Sequence, residues 1–140
     1  MKLLIKKLHP DATIPSFAYT HDAGMDLYAT EAVTLSPSEK KIIPTGISVA
    51  LPEGYVLLIW DKSGIGIKHG IKTLGGVIDA GFRGEIMIGM VNLSSEPYTF
   101  EKGHKVAQAV IQKIEQPEIE IVEELPESDR GEGIFGSSGK

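Results

Sequence analysis

Glycine and proline interrupt the chain so often that short strands, not long helices, are the elements it can build. The 140 residues include 16 glycines and eight prolines, which separate short runs of β-branched and aromatic residues. No clearly helical stretch occurs until late in the chain. Short apolar runs bounded by turn residues are typical of β-sandwiches and β-barrels. The pattern therefore predicts an all-β fold with a single core, as expected for a chain of this length.

Six runs have the composition of strands, and they span residues 3–8, 32–35, 41–51, 55–60, 85–92 and 119–122. Alternate apolar residues run through the third of these, and Pro44 in its middle predicts an edge position or a bulge. The segment 105–114 fits a helical stripe as well as a strand, and periodicity alone does not decide between them. The glycine-rich pieces at 63–68 and around Gly75 are predicted to be irregular loops, which often carry function.

Composition argues against several classes of protein. The formal net charge of -5 argues against a nucleic-acid binder with a broad basic face, although a few basic residues in one cleft could still hold a small polyanion. The absence of cysteine excludes disulfides, thiolate metal sites and a cysteine nucleophile. Lys6 and Lys7 interrupt the first apolar run too early for a secretory signal. No apolar stretch approaches the ~20 residues needed to cross a bilayer. We expect a cytosolic or nuclear protein without membrane or nucleic-acid partners.

Five segments combine glycine with polar or charged residues, and they span residues 23–27, 61–66, 75–86, 102–108 and 128–140. Glycine lets backbone N–H groups approach a phosphate closely. Taken singly, most have an ordinary structural explanation, such as a turn capped by Asp26. The segment 75–86 predicts equally a hairpin that presents Asp79 and Phe82 to a cleft, or a β-turn with Phe82 in the core. The four histidines lack metal-ligand spacing, and no spacing supports a triad of Ser63, Asp79 and His104.

Together and in this order, the five segments resemble the motifs of the trimeric dUTP diphosphatase (dUTPase) family. The matching sequences are AGMDL, KSGIG followed by KHGI, GVIDAGFRGE, KGHKVAQ and RGEGIFGSSG. The resemblance implies a β jelly roll with almost no helix, so the segment 105–114 is expected to be a strand. It also implies a homotrimer with three active sites at subunit interfaces. Residues 1–127 would form the β-barrel domain, and residues 128–140 a flexible, glycine-rich lid exchanged onto a neighbouring subunit.

The activity that the resemblance implies is hydrolysis of dUTP to dUMP and pyrophosphate with Mg²⁺, which limits dUTP and supplies dUMP for thymidylate synthesis. Asp79 matches the general base for the water that attacks the α phosphorus. Asp26 matches a residue near the water shell of the metal, which the triphosphate's own oxygens would chiefly bind. The residues that match substrate-binding positions are Lys62, Ser63, Gly64, Gly76, Val77, Ile78, Phe82, Gln108, Arg130, Phe135, Gly136 and Ser137.

At the nucleoside end, the resemblance assigns uracil to the backbone of the hairpin before Asp79. The Phe82 ring would pack on the deoxyribose and exclude a ribose 2′-hydroxyl. Phe135 would cover the uracil when the tail closes over the site and excludes water.

At the phosphate end, the resemblance implies that Ser63, Gly64 and Gln108 hold the phosphate chain, while Arg130 pairs with the γ phosphate.

Some positions depart from the family's pattern. Lys62 replaces the commoner arginine, Phe82 replaces tyrosine, His104 and Lys105 replace an Asp-Arg pair, and Ile134 replaces a glycine. Lysine keeps the charge of arginine but loses its bidentate fork. Two alternatives stay open: a dCTP deaminase-like enzyme of the same fold, and a trimeric module that binds nucleotides for regulation without turnover.

Overall fold

The computed structural model describes residues 1–134 and 139, and it folds them almost entirely into short antiparallel strands. The strands are β1 (Leu4–Lys7), β2 (Gly24–Tyr28), β3 (Val33–Leu35), β4 (Lys40–Pro44), β5 (Ile47–Ala50), β6 (Tyr55–Trp60), β7 (Ile71–Leu74), β8 (Val77–Asp79), β9 (Met87–Asn92), β10 (Tyr98–Phe100) and β11 (Lys105–Lys113). A single helix in this part of the chain, α1, spans Ser63–His69. The predicted all-β fold is confirmed.

A four-stranded sheet in the order β2-β11-β6-β8 carries five of the predicted site residues, Asp26, Val77, Ile78, Asp79 and Gln108. A three-stranded sheet has the order β4-β9-β7, and the pairs β1-β5 and β10-β3 complete the pairing. Inward-facing apolar side chains of these sheets form one core, whose largest fully buried hydrophobic members are Phe100, Leu35, Ile43, Ile47, Ile86, Ile88, Met90 and Val106. The sheets thus share one hydrophobic interior, as sheet-on-sheet packing requires.

The ambiguous segment 105–114 is a strand, as the resemblance implied. Its helix-like pattern has a physical cause. The pairing of β11 with β2 shifts register between Lys105 and Ala107, so the consecutive residues Val106 and Ala107 are both buried. A bulge of this kind breaks the alternation of inward and outward side chains.

The run 41–51 forms two strands, β4 and β5, and its alternate apolar residues are buried as predicted: Ile43, Ile47, Val49 and Leu51. Pro44 ends β4, which lies at the edge of its sheet, so the predicted edge position is confirmed.

Three predictions were wrong. The segment 63–68 belongs to helix α1 and is not an irregular loop. Residues 119–122 are exposed and form no strand, because nothing in residues 1–134 pairs with them. The hairpin predicted around Asp79 is absent from this part of the chain as well. Instead, β8 pairs with β6, while β7 and β9 belong to another sheet.

Across residues 1–134 and 139, no helix is long and apolar enough to span a membrane. The cytosolic or nuclear location stays a prediction. The last strand ends at Lys113 and the residues that follow are largely exposed, so the domain boundary predicted at residue 127 also stays a prediction.

Candidate active site

One face of the four-stranded sheet gathers several of the predicted site residues. Gln108 of β11 lies directly opposite Asp26 of β2 on one side and Trp60 of β6 on the other. Residues opposite each other in antiparallel strands point to the same face, and so do residues two apart along a strand. Val77 and Asp79 of β8, which lie opposite Leu58 and Val56 of β6, therefore share this face. The other face of the sheet packs on the core.

Gln108 is held in place by its neighbours on both sides. Its Nε2 donates a hydrogen bond of 2.8 Å to the carbonyl oxygen of Asp61. On the β2 side its amide fills the space that a side chain on Gly24 would need, because a Cβ there would lie 2.3 Å from Gln108 Oε1. A side chain at position 24 would therefore displace the amide of Gln108 from this position.

A cleft of about 430 Å³ opens beside Gln108, and Ser63, Asp61, Trp60 and Lys72 are among its lining residues. The structure thus brings together Ser63 and Gln108, two residues predicted to hold phosphates, although they are 45 positions apart in the sequence.

Asp61 follows the end of β6, and its side chain binds β7, which fixes the start of helix α1, where Ser63 lies. Its Oδ1 accepts hydrogen bonds from the backbone N and the Oγ1 of Thr73, both at 2.7 Å, and its Oδ2 contacts Lys72 Nζ at 2.6 Å. Partial burial raises the pKa of Asp61, but the bonds from Lys72 and Thr73 outweigh that effect and hold the pKa below its ordinary value. The carboxylate therefore acts as a charged acceptor that fixes the chain at the start of α1.

Asp26 is buried and binds two lysines. Lys62 Nζ donates to Oδ1 at 2.5 Å, and Lys105 Nζ lies 2.6 Å from Oδ2. The Lys105 contact lies outside hydrogen-bond geometry, so Oδ2 makes an ion pair alone. Burial raises the pKa of Asp26, but the ammonium groups of Lys105 and Lys62 outweigh it and leave the pKa below its ordinary value. At neutral pH, Asp26 is therefore ionised and paired with the two lysines.

This arrangement does not fit a metal held by protein ligands. No group of three or more histidine, aspartate or glutamate side chains that could hold an ion occurs in the part of the chain that is described. Mg²⁺ needs oxygen ligands or ordered waters with room around them. The carboxylate of Asp26 is enclosed, and each of its oxygens faces an ammonium group.

A second, smaller cleft of about 230 Å³ lies at the start of β8. Gly76 and Val77, which are predicted uracil-binding residues, line it together with Leu58. The carbonyl oxygen of Gly76 accepts a hydrogen bond of 2.7 Å from the N–H of Ile59. Trp60 and Lys72 line both clefts, so the two clefts adjoin. The predictions missed these two residues, and the only sequence signal for Trp60 is that it is the chain's one tryptophan.

Asp79 ends β8 with its side chain exposed, and its carboxylate accepts no hydrogen bond from the residues described. The chain then turns, and the N–H of Phe82 donates to the carbonyl oxygen of Asp79 at 3.0 Å. Phe82 is 42% exposed, which excludes the alternative that it packs in the core of this chain. Asp79 and Phe82 therefore lie together at the surface, available to a ligand.

The structure does not bring Asp79 close to Gln108 within one chain. They are separated by two strand spacings and by four residues along the strand direction. With ~4.8 Å between strands and ~3.3 Å per residue, their backbones are roughly 16 Å apart.

In the tail, Arg130 is exposed and its Nε donates to the carbonyl oxygen of Gly133 at 2.8 Å. The predicted residues Phe135, Gly136 and Ser137 lie outside the described residues.

Comparisons with known proteins agree with the motif order. A family model for dUTPase matches residues 10–139. A deoxyuridine 5'-triphosphate nucleotidohydrolase of Clostridium novyi is 48% identical over 141 residues, which cover 99% of each chain. The structure of a Staphylococcus bacteriophage 80alpha dUTPase mutant with dUpNHpp superposes with a TM-score of 0.94 at 35% identity, covering 99% of each chain.

A mutant dUTPase from phage phi11 of S. aureus, whose structure reveals the coordination of a structural Mg(II) ion, has a TM-score of 0.85 at 31% identity. That match covers 91% of this chain and 100% of the phage chain. The predicted dUTPase-like fold is confirmed.

Proposed function

Because this chain belongs to the dUTPase family, we propose that it hydrolyses dUTP to dUMP and pyrophosphate, thereby limiting dUTP and supplying dUMP for thymidylate synthesis. The observation that carries the proposal is the position of Asp79. Its carboxylate is exposed at the end of an edge strand, beside Phe82 and two residues beyond the cleft at Val77. A carboxylate that makes no hydrogen bond to the described residues has its lone pairs available for a water molecule.

In the proposed reaction, Asp79 accepts a proton from a water molecule that attacks the α phosphorus. The bond between the α phosphorus and the bridging oxygen then breaks, and pyrophosphate leaves with that oxygen. General-base catalysis of this kind requires the base within hydrogen-bond reach of the water.

Strand β8 supports the proposed recognition of uracil. It pairs on one side only, with β6, so the backbone groups of Gly76, Val77 and Ile78 that face its outer edge are open to a ligand, whereas the carbonyl of Gly76 is already bonded to Ile59. Unpaired N–H and C=O groups on an edge strand are ready partners for the polar edge of a base. The Phe82 ring, which lies beyond the turn after Asp79, supplies an apolar surface for the sugar.

The cleft beside Gln108 is the proposed phosphate end of the site. Ser63, Gly64 and Gln108 would donate hydrogen bonds to phosphate oxygens, and Lys62 would contribute charge. Donors aimed at a negatively charged ligand in a partly enclosed cleft are strong ligands for phosphate.

We propose that each active site combines two or more chains of a homotrimer. The roughly 16 Å between Asp79 and Gln108 of one chain is too long for both to act around one α phosphate. A neighbouring chain could bring its own cleft against Asp79. Exposed apolar residues on this face, with Trp60 at 54% and Val77 at 65% exposure, support an interface there.

The lid and the metal are parts of the same proposal. Arg130, with Phe135, Gly136 and Ser137, would close over the site of a neighbouring subunit. The proposed Mg²⁺ would be held by the phosphate oxygens of the substrate, because the described carboxylates form no site for it.

The direct test is incubation of the purified protein and Mg²⁺ with dUTP, UTP, dTTP and dCTP in parallel. We expect pyrophosphate release from dUTP alone. Ammonia release from dCTP would instead establish a deaminase, and nucleotide binding without any product would establish a regulatory module.

A further inference from the structure

Among the paired carboxylates of residues 1–134, Asp26 differs from the others in how deeply it is enclosed. Its side chain is 4% exposed, whereas the side chains of Lys62 and Lys105 that contact it are 29% and 47% exposed. The acid therefore lies behind the two ammonium groups. An anion that approaches from solvent meets the lysines and not the carboxylate.

The three residues come from separate elements that converge next to the phosphate cleft. Asp26 is on β2, Lys62 immediately precedes α1, and Lys105 begins β11. Gln108, which lines the cleft, lies opposite Asp26 in the sheet, and Ser63, which also lines it, follows Lys62 in the chain. Asp26, Lys62 and Lys105 therefore lie beside the residues that line the cleft.

We propose that Asp26 is a positioning residue that holds the ammonium groups of Lys62 and Lys105 at the phosphate end of the site, and that it takes no part in the water shell of a metal ion. This inference rests on the proposed function, because it assumes that the cleft receives the phosphate chain of dUTP.

The chemistry of lysine explains why such an anchor is needed. An ammonium group on a four-carbon stem has a large rotamer entropy and lacks the rigid fork of arginine. Each ammonium group carries three donors, so after one contact with Asp26 it retains two for phosphate oxygens. Two ammonium groups and one carboxylate leave a net positive charge, fixed in place before the substrate binds. This chain has lysine where its family commonly has arginine. The buried carboxylate of Asp26 restricts the lysine side chains, as the rigid guanidinium group restricts arginine.

Binding of the dUTP analogue dUpNHpp to Asp26→Asn distinguishes the two roles. If Asp26 positions the lysines, the Kd should rise about tenfold and by the same factor in Mg²⁺ and in EDTA. The same substitution should cost nothing further in a Lys62→Gln, Lys105→Gln background, because the groups it positions are gone. A loss confined to Mg²⁺, or no loss at all, would overturn the inference.

Asp11→Asn is the matched control. Asp11 forms an ion pair of equal length, 2.5 Å, with Lys102, but both side chains are more than half exposed and neither belongs to the site. Loss of this ion pair should leave the Kd for dUpNHpp unchanged.

A crystal structure of the unsubstituted protein with dUpNHpp and Mg²⁺ tests the inference without any variant. Asp26 should still contact both lysines, and a hydrogen bond donated by a metal-bound water to Asp26 would refute the inference. Turnover of dUTP by the same protein tests the proposed function separately, so the two can fail independently.

Discussion

Gly24 and Gln108 show how one missing side chain can determine the position of another. The two residues lie on neighbouring strands, and the amide of Gln108 lies where a Cβ on residue 24 would be. The hydrogen bond from Gln108 to the carbonyl of Asp61 leaves little freedom for the amide to move away. The glycine is therefore a constraint on the phosphate cleft, although it need not touch the substrate.

Gly24→Ala should raise KM for dUTP about tenfold, because the new methyl group displaces the amide of Gln108. Steady-state kinetics on the purified variant measure this effect. Adding Gly24→Ala to Gln108→Ala should cause little further loss, since the clash with the amide is then gone and only the Cβ of residue 108, at 3.2 Å, remains close. An equal loss in both backgrounds would mean that Gly24 acts by another route.

Asp79→Asn should bind dUpNHpp normally but lose at least ~10²-fold in kcat, because an amide cannot accept the proton of the attacking water. Glu53→Gln is the control. It removes one exposed carboxylate in the turn after β5 and should leave kcat unchanged. Near-normal turnover of Asp79→Asn would remove this residue from the mechanism.

Among the secondary-structure elements, helix α1 is one that composition failed to predict. Two glycines in seven residues disfavour a helix, which led to the prediction of a loop. The helix forms because Asp61 fixes the chain before it, and because Gly70 ends it in the left-handed conformation with φ of 66°. Lys68 and His69 in its last turn, followed by Gly70, were a helix-end signal in the sequence. The predicted hairpin does not form, because β8 pairs with β6 and β7 pairs with β9. Sequence around Asp79 alone does not specify these pairings.

Gly66 within α1 and Gly70 at its end should respond to alanine in opposite directions. Gly66→Ala should stabilise the protein by up to about 1 kcal/mol, because alanine favours the helix and its Cβ would lie 3.6 Å from the nearest neighbour. Gly70→Ala should destabilise it by about 1–2 kcal/mol, because its conformation is left-handed. Denaturant unfolding at one protein concentration measures both changes. If both variants shift in the same direction, α1 does not end at Gly70 as described.

Removal of residues 128–140 should leave the β domain folded, because the last strand ends at Lys113. The same truncation should abolish most dUTP hydrolysis, since it removes Arg130 and the rest of the proposed lid. Sedimentation and turnover on the truncated protein measure the two effects. Full activity without these residues would refute the lid.

The arrangement of the strands and of α1 explains which parts of the candidate site could be predicted from the sequence. The order of the motifs predicted the family, and Ser63 and Gln108, which the motifs assign to the phosphate chain, do line one cleft. The ion pairs of Asp26 depend on three elements distant in sequence, and no local pattern specifies them. The arrangement of Asp79 relative to Gln108 depends on sheet order, which separates them in one chain.

That separation leads to a prediction for mixed trimers. Asp79→Asn and Gln108→Ala chains should each be nearly inactive alone. If every site takes Asp79 from one chain and Gln108 from another, random mixing at equal amounts should restore about one quarter of the sites. The two proteins are unfolded together, refolded, and assayed for dUTP hydrolysis, with tagged chains to confirm that mixed trimers form. Each variant refolded alone is the control. Mixed trimers that stay inactive would show that a site does not combine these two residues from different chains, and the shared site would have to be abandoned.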